Sequence, residues 1–350
     1  MKPEQLVRPE ILALSAYAVA PAAGMVKLDA MENPYRLPPP LRRELAARLA
    51  DVALNRYPEP NPPRLRELII RKMRVPAGME VLLGNGSDDL IQIIALALAR
   101  PGAVMMYPSP TFVMYGVNAT FSGMRAEPVP LRDDFSFDAE AFIARMRAER
   151  PALVFLAYPN NPTGVLYPRP EVRRVIEAAP GLVVLDEAYH VFAGETFMDE
   201  LPRYANLLVL RTVSKLGLAG LRLGYLAGRP EWLAQFNKVR QVYNVNVLTE
   251  AAALFVLEHL DVLEAQAAEI RAERERLESA LRAMPGVTLF PSRANFFLVR
   301  VRDAARTYEG LRREGVLVRN LHPALANCLR ITVGTPDENR ILLNALKEAI

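Results

Sequence analysis

Hydrophobic residues between about positions 80 and 230 fall into short, nearly continuous runs that helix-length segments separate. The runs are "VLLG" (81–84), "AVMMY" (103–107), "ALVFLAY" (152–158), "LVVLDE" (182–187), "LLVLRT" (207–212) and "LRLGYLAG" (221–228). Four of them are continuous rather than alternating in polarity, which is typical of strands covered on both faces. Segments such as "DDLIQIIALALA" (88–99) and "FDAEAFIARMRAER" (137–150) are predicted helices. The pattern indicates an α/β fold with a mostly parallel, wound sheet.

The pattern changes after residue 246. Segment 249–284 predicts one long helix or two consecutive helices, and further helices are expected at about 303–314 and 336–349. The last of these has clear start signals, because Thr335 can act as the N-cap and Glu338 stands at the third helical position. Short apolar runs lie between these helices, so the C-terminal part is predicted to be a smaller α+β unit.

A chain of 350 residues is longer than one hydrophobic core usually serves, so we expect more than one domain. The first 30 residues contain Pro21 and Gly24 and are predicted to form an N-terminal arm. We predict a large cofactor-binding domain over 31–248. A linker helix and a small C-terminal domain would occupy 249–350.

Charge and cysteine content limit the expected partners and compartment. The net charge is +4, but the arginines stand near carboxylates, as in the helical pair Glu278–Arg282, which argues against a nucleic-acid partner. The single cysteine, Cys328, cannot form an internal disulfide, which suits a reducing compartment. Glu4 and Glu10 interrupt the N-terminus, so no signal peptide is expected, and no run approaches the ~18 apolar residues of a membrane span. These features predict a cytoplasmic protein without a membrane partner, and we expect no metal.

Polar and aromatic residues collect where the predicted strands end. In open parallel sheets, ligands bind beyond the carboxyl ends of the strands, so these residues are the candidates for a site. The glycine-rich turn before the predicted helix at 88–99 could hold a phosphate on backbone N–H groups. The candidates are Gly86, Ser87, Phe112, Asn161, Asp186, Tyr189, Thr212, Ser214, Lys215 and Arg222.

Each candidate also has a purely structural explanation. Asn161 could cap a turn, Asp186 could cap a helix, and Phe112 and Tyr189 could be packing residues. Lys215 alone would ordinarily be a solvated surface residue. All of them, however, leave one edge of one predicted sheet. A lysine amine, a carboxylate and a phosphate cradle together match pyridoxal phosphate, whose aldehyde forms a Schiff base with lysine and whose ring nitrogen pairs with a carboxylate.

Several motifs, in their order and spacing, resemble the fold-type I pyridoxal-phosphate aminotransferases. The motifs are "YPNNPTG" (158–164), "LDEAY" (185–189), "RTVSK" (211–215) and "GLRLGY" (220–225). Four further stretches resemble the histidinol-phosphate aminotransferase group. They are "LDAMENPY" (28–35), "NRYPEP" (55–60), "GNGSDDLI" (84–91) and "CLRITVGT" (328–335). The resemblance extends from about residue 8 to 347.

The resemblance implies a role for each candidate. Lys215 would bind the cofactor aldehyde, Asp186 would pair with the ring nitrogen, and Asn161 and Tyr189 would contact the ring oxygen. Phe112 would stack on the ring. The phosphate would be held by Gly86, Ser87, Thr212, Ser214 and Arg222.

The resemblance also implies substrate contacts and an assembly. Tyr57 would reach the cofactor phosphate of the neighbouring subunit, which implies a homodimer with shared active sites. Arg330 would face a substrate anion, and Tyr17 and Arg319 resemble residues that help to hold the substrate's phosphate. Small-molecule partners, an amino donor and a 2-oxo acid, are therefore expected.

The chain departs from the family pattern at three points. One residue fewer separates Lys215 from Arg222, so the guanidinium could be set differently. The usual "NENP" reads "MENP", which leaves the role of Asn33 open, and Asp89 stands where glutamate is expected.

The resemblance favours transamination between histidinol phosphate and 2-oxoglutarate, giving imidazole-acetol phosphate and glutamate, in histidine synthesis. An aromatic or broad-range amino-acid aminotransferase is the first alternative, and a phosphothreonine-type decarboxylase of the same fold is a further one. A non-catalytic cofactor-binding regulator is disfavoured, because no DNA-binding segment is appended and the catalytic set is complete.

Overall fold

The computed structural model describes residues 1–16 and 19–350 of the chain. The strands of these residues are β1 (Val26–Lys27), β2 (Glu80–Gly84), β3 (Val104–Ser109), β4 (Arg125–Pro130), β5 (Leu153–Ala157), β6 (Leu182–Asp186), β7 (Leu207–Thr212), β8 (Gly224–Gly228), β9 (Thr288–Leu289), β10 (Phe296–Arg300), β11 (Val316–Leu317), β12 (Arg319–Asn320) and β13 (Cys328–Thr332).

The helices of the described residues are α1 (Pro9–Leu12), α2 (Pro39–Ala50), α3 (Pro63–Lys72), α4 (Ser87–Leu98), α5 (Met114–Ser122), α6 (Ala139–Glu149), α7 (Arg169–Ala178), α8 (His190–Ala193), α9 (Pro230–Phe236), α10 (Val247–Glu258), α11 (Leu260–Arg282), α12 (Ala304–Arg313) and α13 (Pro336–Ala349). None of these helices combines the length and the apolar character needed to cross a bilayer.

Seven strands form the central sheet, in the order β2-β8-β7-β6-β5-β3-β4. β8 runs antiparallel to both of its neighbours, and the other pairings are parallel. The predicted wound, mostly parallel sheet is therefore confirmed. Because β2, β3, β5, β6 and β7 share one direction, their carboxyl ends lie at the same end of the sheet. β2 is the outermost strand on one side.

Two details of the sheet differ from the sequence prediction. The last predicted run was expected to begin at Leu221, but β8 begins at Gly224, because 219–221 form a short 3-10 turn and Arg222 takes a left-handed conformation with φ of 49°. β4 was not anticipated, because its sequence "RAEPVP" mixes charged residues and proline with only two buried positions. It lies at the sheet edge, where proline costs no ladder hydrogen bond.

A second, antiparallel sheet has the order β12-β13-β10-β9 and belongs to the C-terminal part of the chain. The short strand β1 near the N-terminus pairs in parallel with β11 of that part. The segment 249–284 contains two consecutive helices, α10 and α11, and the predicted capping box at Thr335 is present. The division into an arm, a large domain and a small domain stays a prediction.

Apolar side chains cover both faces of the central sheet and one face of the small sheet. Along β5, β6 and β7 every residue is buried, which accounts for the continuous apolar runs of the sequence. A separate core cluster joins the small sheet to α11 and α13, and it includes Tyr189 from the segment after β6. The end of β6 is thereby packed between the two sheets.

A buried ion pair joins the chain after β6 to strand β7. The carboxylate of Glu187 lies 2.8 Å from Arg211 Nη2, and the two side chains are 0% and 5% exposed. Glu187 also accepts hydrogen bonds from Thr196 Oγ1 and from the backbone N–H of Phe197. Glu187 follows Asp186, and Arg211 precedes Thr212. The ion pair therefore restrains the relative positions of these two candidate site residues.

Arg211→Met should destabilise the fold strongly, because it leaves the buried Glu187 carboxylate without its cation. Urea denaturation followed by circular dichroism should show a loss of about 3–5 kcal/mol in the free energy of unfolding. Arg282→Met is the matched control: its partner Glu278 lies one helical turn away in an exposed pair, so the loss should stay below about 1 kcal/mol. Equal losses for the two variants would contradict the role of the buried pair.

Candidate active site

A cavity of about 370 Å³ opens at the carboxyl edge of the central sheet. Its walls come from the ends of β5, β6 and β7, from the start of α4, and from the segment after β1. The predicted residues that line it are Ser87, Phe112, Asn161, Asp186, Tyr189, Thr212, Ser214, Lys215 and Arg222. The structure thus brings together nine side chains that the sequence separates by up to 135 positions, from 87 to 222.

Lys215 lies in the π-helical turn 214–218 that follows β7. Its Nζ donates a hydrogen bond to the carbonyl oxygen of Ala30, 2.8 Å away, and lies 6.0 Å from the centre of the Tyr189 ring. Burial lowers the pKa of Lys215 to about 8, and the positive charge of Arg330 acts in the same direction. In a substantial fraction of the molecules, Lys215 is therefore a neutral amine near pH 8. In that form it can act as a nucleophile or a base.

Asp186 is the last residue of β6 and is almost completely buried. Its Oδ2 accepts a hydrogen bond from the Tyr115 hydroxyl at 2.8 Å, and its Oδ1 accepts one from the Ala188 N–H at 3.1 Å. Burial raises the pKa of the carboxyl to about 6, and the two hydrogen bonds oppose that rise. Asp186 is therefore a carboxylate at neutral pH that would gain from a cationic partner in the cavity.

The turn between β2 and α4 forms a cradle with Arg222. Gly86 has a φ of 87°, and a Cβ atom at this position would lie 2.6 Å from Arg222 Nη2. A Cβ at Gly224 would likewise lie 2.6 Å from the backbone nitrogen of Ser87. Glycine at 86 therefore lets the guanidinium approach the N-terminus of α4, and glycine at 224 lets β8 approach the same turn. Free N–H groups and the helix dipole favour an anion at this N-terminus.

Hydroxyl groups complete this cradle. Thr212 Oγ1 donates to Ser214 Oγ at 2.9 Å, and Arg222 Nη1 donates to the same Ser214 oxygen at 3.4 Å. Arg222 Nη2 also lies 3.6 Å from Asp88. The spacing of Lys215 and Arg222, shorter by one residue than in the family pattern, therefore still brings the guanidinium to the cradle.

Asn161 and Arg330 are hydrogen-bonded to each other at the side of the cavity. Arg330 Nη1 donates to Asn161 Oδ1 at 2.6 Å, and Nη2 donates to the carbonyl oxygen of Asp29 at 2.8 Å. Arg330 is buried, although its neighbours Leu329 and Ile331 pack into the core on the other face of β13. The guanidinium thus lies on the side of the small sheet that faces Asn161 of the cavity wall.

Arg319 stands directly opposite Arg330 in the antiparallel pairing of β12 with β13. Directly opposed residues of neighbouring strands project on the same face. Two arginines therefore share one side of the small sheet beside the cavity, which concentrates positive charge there.

Aromatic residues bound the cavity on two sides. Tyr189 is buried and packs edge-on against Phe296, with ring centres 5.1 Å apart. Phe112 lines the cavity and meets Tyr115 edge-on at 5.7 Å. Both rings therefore pack against a neighbouring aromatic ring and also line the cavity, where they can contact a ligand.

Of the predicted residues that the structure describes, Gly86, Tyr57, Arg319 and Arg330 are not among those that line this cavity. Tyr57 is 79% exposed and stacks on Tyr243 with ring centres 4.5 Å apart, so it does not reach the cavity of its own chain. Tyr17 lies outside the described residues, and its predicted role stays a prediction.

Sequence reasoning left three contacts of the site unidentified. Asn33 Nδ2 donates to the carbonyl oxygen of Leu216 at 3.2 Å, so the open role of this asparagine includes holding the turn that carries Lys215. Asp88 lines the cavity beside Arg222. Tyr115 holds Asp186. Tyr115 stands three positions after Phe112, a spacing that places two residues on the same face of a helix. Its hydrogen-bond partner, Asp186, is 71 residues away, so the sequence does not indicate that contact.

Comparison with known proteins identifies the family of this chain. The histidinol-phosphate aminotransferase 2 of Cupriavidus pinatubonensis is 56% identical over 99% of this chain and 97% of its own length. That of Chromobacterium violaceum is 55% identical over 98% of each chain. The crystal structure of histidinol-phosphate aminotransferase from Sinorhizobium meliloti in complex with pyridoxal-5'-phosphate superimposes with a TM-score of 0.87. It is 27% identical and covers 98% of this chain and 97% of that one. Residues 23–346 match the family described as aminotransferase class I and II, and the chain belongs to this family.

Proposed function

We propose that this protein uses pyridoxal phosphate to exchange the amino group of histidinol phosphate with 2-oxoglutarate in histidine biosynthesis. The near-full-length similarity to histidinol-phosphate aminotransferases supports the reaction. The observation that carries the substrate assignment is the opposed pair Arg319 and Arg330 beside the cavity of Lys215. Two guanidinium groups on the same side of a sheet offer charge-assisted donors to a phosphate or a carboxylate.

The residues of the cavity fit pyridoxal phosphate. Gly86 lets the Arg222 guanidinium approach the N-terminus of α4, and both offer donors to a phosphate there. Ser87, Thr212 and Ser214 add hydroxyl groups. These residues would therefore hold the cofactor phosphate.

Asp186 and Phe112 would orient the cofactor ring. The buried carboxylate of Asp186 would face the protonated ring nitrogen, since burial favours a neutralising partner. Asn161 and Tyr189 would contact the ring oxygen, and Phe112 would cover one ring face. When bound, the cofactor supplies an aldehyde that condenses with amines and a ring that accepts an electron pair.

Lys215 would first hold the cofactor and then move a proton. Once its amine is released, Nζ would take the proton from the substrate carbon that bears nitrogen and return it at the cofactor carbon, or the reverse. Its pKa of about 8 suits this work, because a base near the operating pH can both accept and give up a proton.

The two arginines would serve both halves of the exchange. Histidinol phosphate has no α-carboxylate, so its phosphate is the anion by which the site can hold it, whereas 2-oxoglutarate offers two carboxylates. Arg330, which is buried against Asn161, would contact an anion in each half-reaction. Arg319, on the partly exposed strand β12, would contact the anion farther from Lys215.

We propose further that two copies of this chain share their active sites. Tyr57 is largely exposed and stacks on Tyr243, which is itself 46% exposed, so a second copy can cover this aromatic pair. In such a dimer Tyr57 would supply its hydroxyl to the cofactor phosphate of the other subunit. Tyr17 would complete the contacts with the substrate phosphate.

Wild-type protein should have a higher kcat/KM for histidinol phosphate than for phenylalanine or tyrosine, and Arg319→Ala should reduce this preference. A hydrogen bond to a charged group contributes about 1.5–3 kcal/mol, so kcat/KM for histidinol phosphate should fall about ten- to a hundredfold. Turnover of phenylalanine, whose side chain carries no anion, should change much less. Steady-state kinetics with each donor and 2-oxoglutarate measures both values.

Arg300→Ala is the matched control for this comparison, since Arg300 is an exposed arginine of the same small sheet. It should leave both kcat/KM values unchanged. Equal losses of Arg319→Ala on both donors would indicate a structural role for Arg319. A wild-type preference for phenylalanine or tyrosine would favour an aromatic aminotransferase instead.

Mixed dimers of Tyr57→Ala and Lys215→Ala should regain part of the activity that each variant lacks alone. One of the two sites in such a dimer would contain an intact Tyr57 and an intact Lys215. The variants are refolded together, heterodimers are isolated by means of two different affinity tags, and transamination is measured. Inactive heterodimers would show that Tyr57 does not act in the site of the neighbouring subunit.

A further inference from the structure

Tyr115 is the buried side chain that holds the carboxylate at the inner end of the cavity. Its hydroxyl donates to Asp186 Oδ2 at 2.8 Å, and the tyrosine is completely buried. Burial raises the pKa of Tyr115 well above its ordinary value, with the charge of Asp186 adding to the effect. The hydroxyl therefore stays protonated and acts as a hydrogen-bond donor at any pH that the protein tolerates.

Packing fixes the direction of this donor. The Tyr115 ring stacks on Phe155 of β5, with ring centres 4.6 Å apart and planes inclined by 8°. Phe112 meets the same ring edge-on at 5.7 Å. Because two rings restrain Tyr115, its hydroxyl can point at one oxygen of Asp186 without further loss of side-chain entropy.

The charges around Asp186 explain why such a donor is needed. Asp88 from the start of α4 and Glu187 from the same segment both disfavour the ionised form of Asp186, and burial disfavours it more. Glu187 is itself paired with Arg211. Among the groups that the structure describes, the Tyr115 hydroxyl and the Ala188 N–H are the hydrogen-bond donors that oppose these effects.

We propose that Tyr115 is a positioning residue that keeps Asp186 ionised and aimed at the protonated ring nitrogen of the cofactor, and thereby strengthens cofactor binding. This inference rests on the proposed function, because it takes pyridoxal phosphate as the ligand. Tyr115 acts through Asp186 and itself contacts neither cofactor nor substrate.

Tyr115→Phe keeps the packed ring and removes only the donor. Titration of pyridoxal phosphate into apo-protein, followed by absorbance, should give a dissociation constant about tenfold higher than that of wild type at about pH 5, below the pKa of Asp186, and a smaller rise at pH 7. Because a protonated Asp186 cannot pair with a protonated ring nitrogen, the acidic midpoint of binding against pH should rise by about one pH unit for a tenfold effect.

Tyr167→Phe is the matched control. Tyr167 is equally buried, and its hydroxyl lacks a hydrogen-bond partner within the described part of the chain. This variant should bind pyridoxal phosphate as wild type does. It reports the effect of removing a buried tyrosine hydroxyl that does not touch Asp186.

A double-mutant cycle separates action through Asp186 from a general structural effect. In an Asp186→Asn background, Tyr115→Phe should change the dissociation constant less than about twofold, because the carboxylate it acts on is absent. An unchanged dissociation constant for Tyr115→Phe alone, or an equal loss in both backgrounds, would overturn this inference while leaving the proposed function intact. Wild-type protein that binds no pyridoxal phosphate would overturn both.

Discussion

The parallel pairing of β6 with β7 is the constraint on which the site depends. It places Asp186, the last residue of β6, next to the end of β7. The turn that carries Lys215 follows β7 directly. The buried Glu187–Arg211 pair crosses between these two segments just below the cavity. A shift of register would move Glu187 away from Arg211 and leave both charges buried without this partner. The distance between the amine and the carboxylate is therefore a property of the sheet.

Burial acts on the two central ionisable groups in opposite directions. It lowers the pKa of Lys215 to about 8 and raises that of Asp186 to about 6, so each group is closer to neutrality than in water. Lys27 offers a contrast, because its pKa is raised: burial opposes the rise, but a hydrogen bond to Glu32 and the nearby Asp29 outweigh it. A ligand with an aldehyde near the lysine and a cationic ring nitrogen near the carboxylate would match both groups. The hydrogen bond from Tyr115 favours the ionised form of Asp186 and so opposes the effect of burial on that carboxyl.

The sequence predicted the parts of the fold and site whose signals are local. Continuous apolar runs indicated β5, β6 and β7, and the residues directly after them indicated Asn161, Asp186 and Lys215. The antiparallel direction of β8 carries no local signal, because direction depends on which strands become neighbours. Tyr115 was missed for the same reason: its hydroxyl finds a carboxylate 71 residues away, and a buried tyrosine is usually read as packing. The predicted role of Tyr57 requires a second subunit, so no contact within one chain can test that role.

The most direct test of this account is to identify the lysine that binds pyridoxal phosphate. Purified protein loaded with the cofactor is reduced with borohydride, digested and mapped by mass spectrometry. The account predicts a pyridoxyl group on Lys215, and no label at this level in Lys215→Ala protein. A label on Lys27, whose ammonium pairs with Glu32 of the cavity wall, or on Lys72 or Lys238 would contradict it.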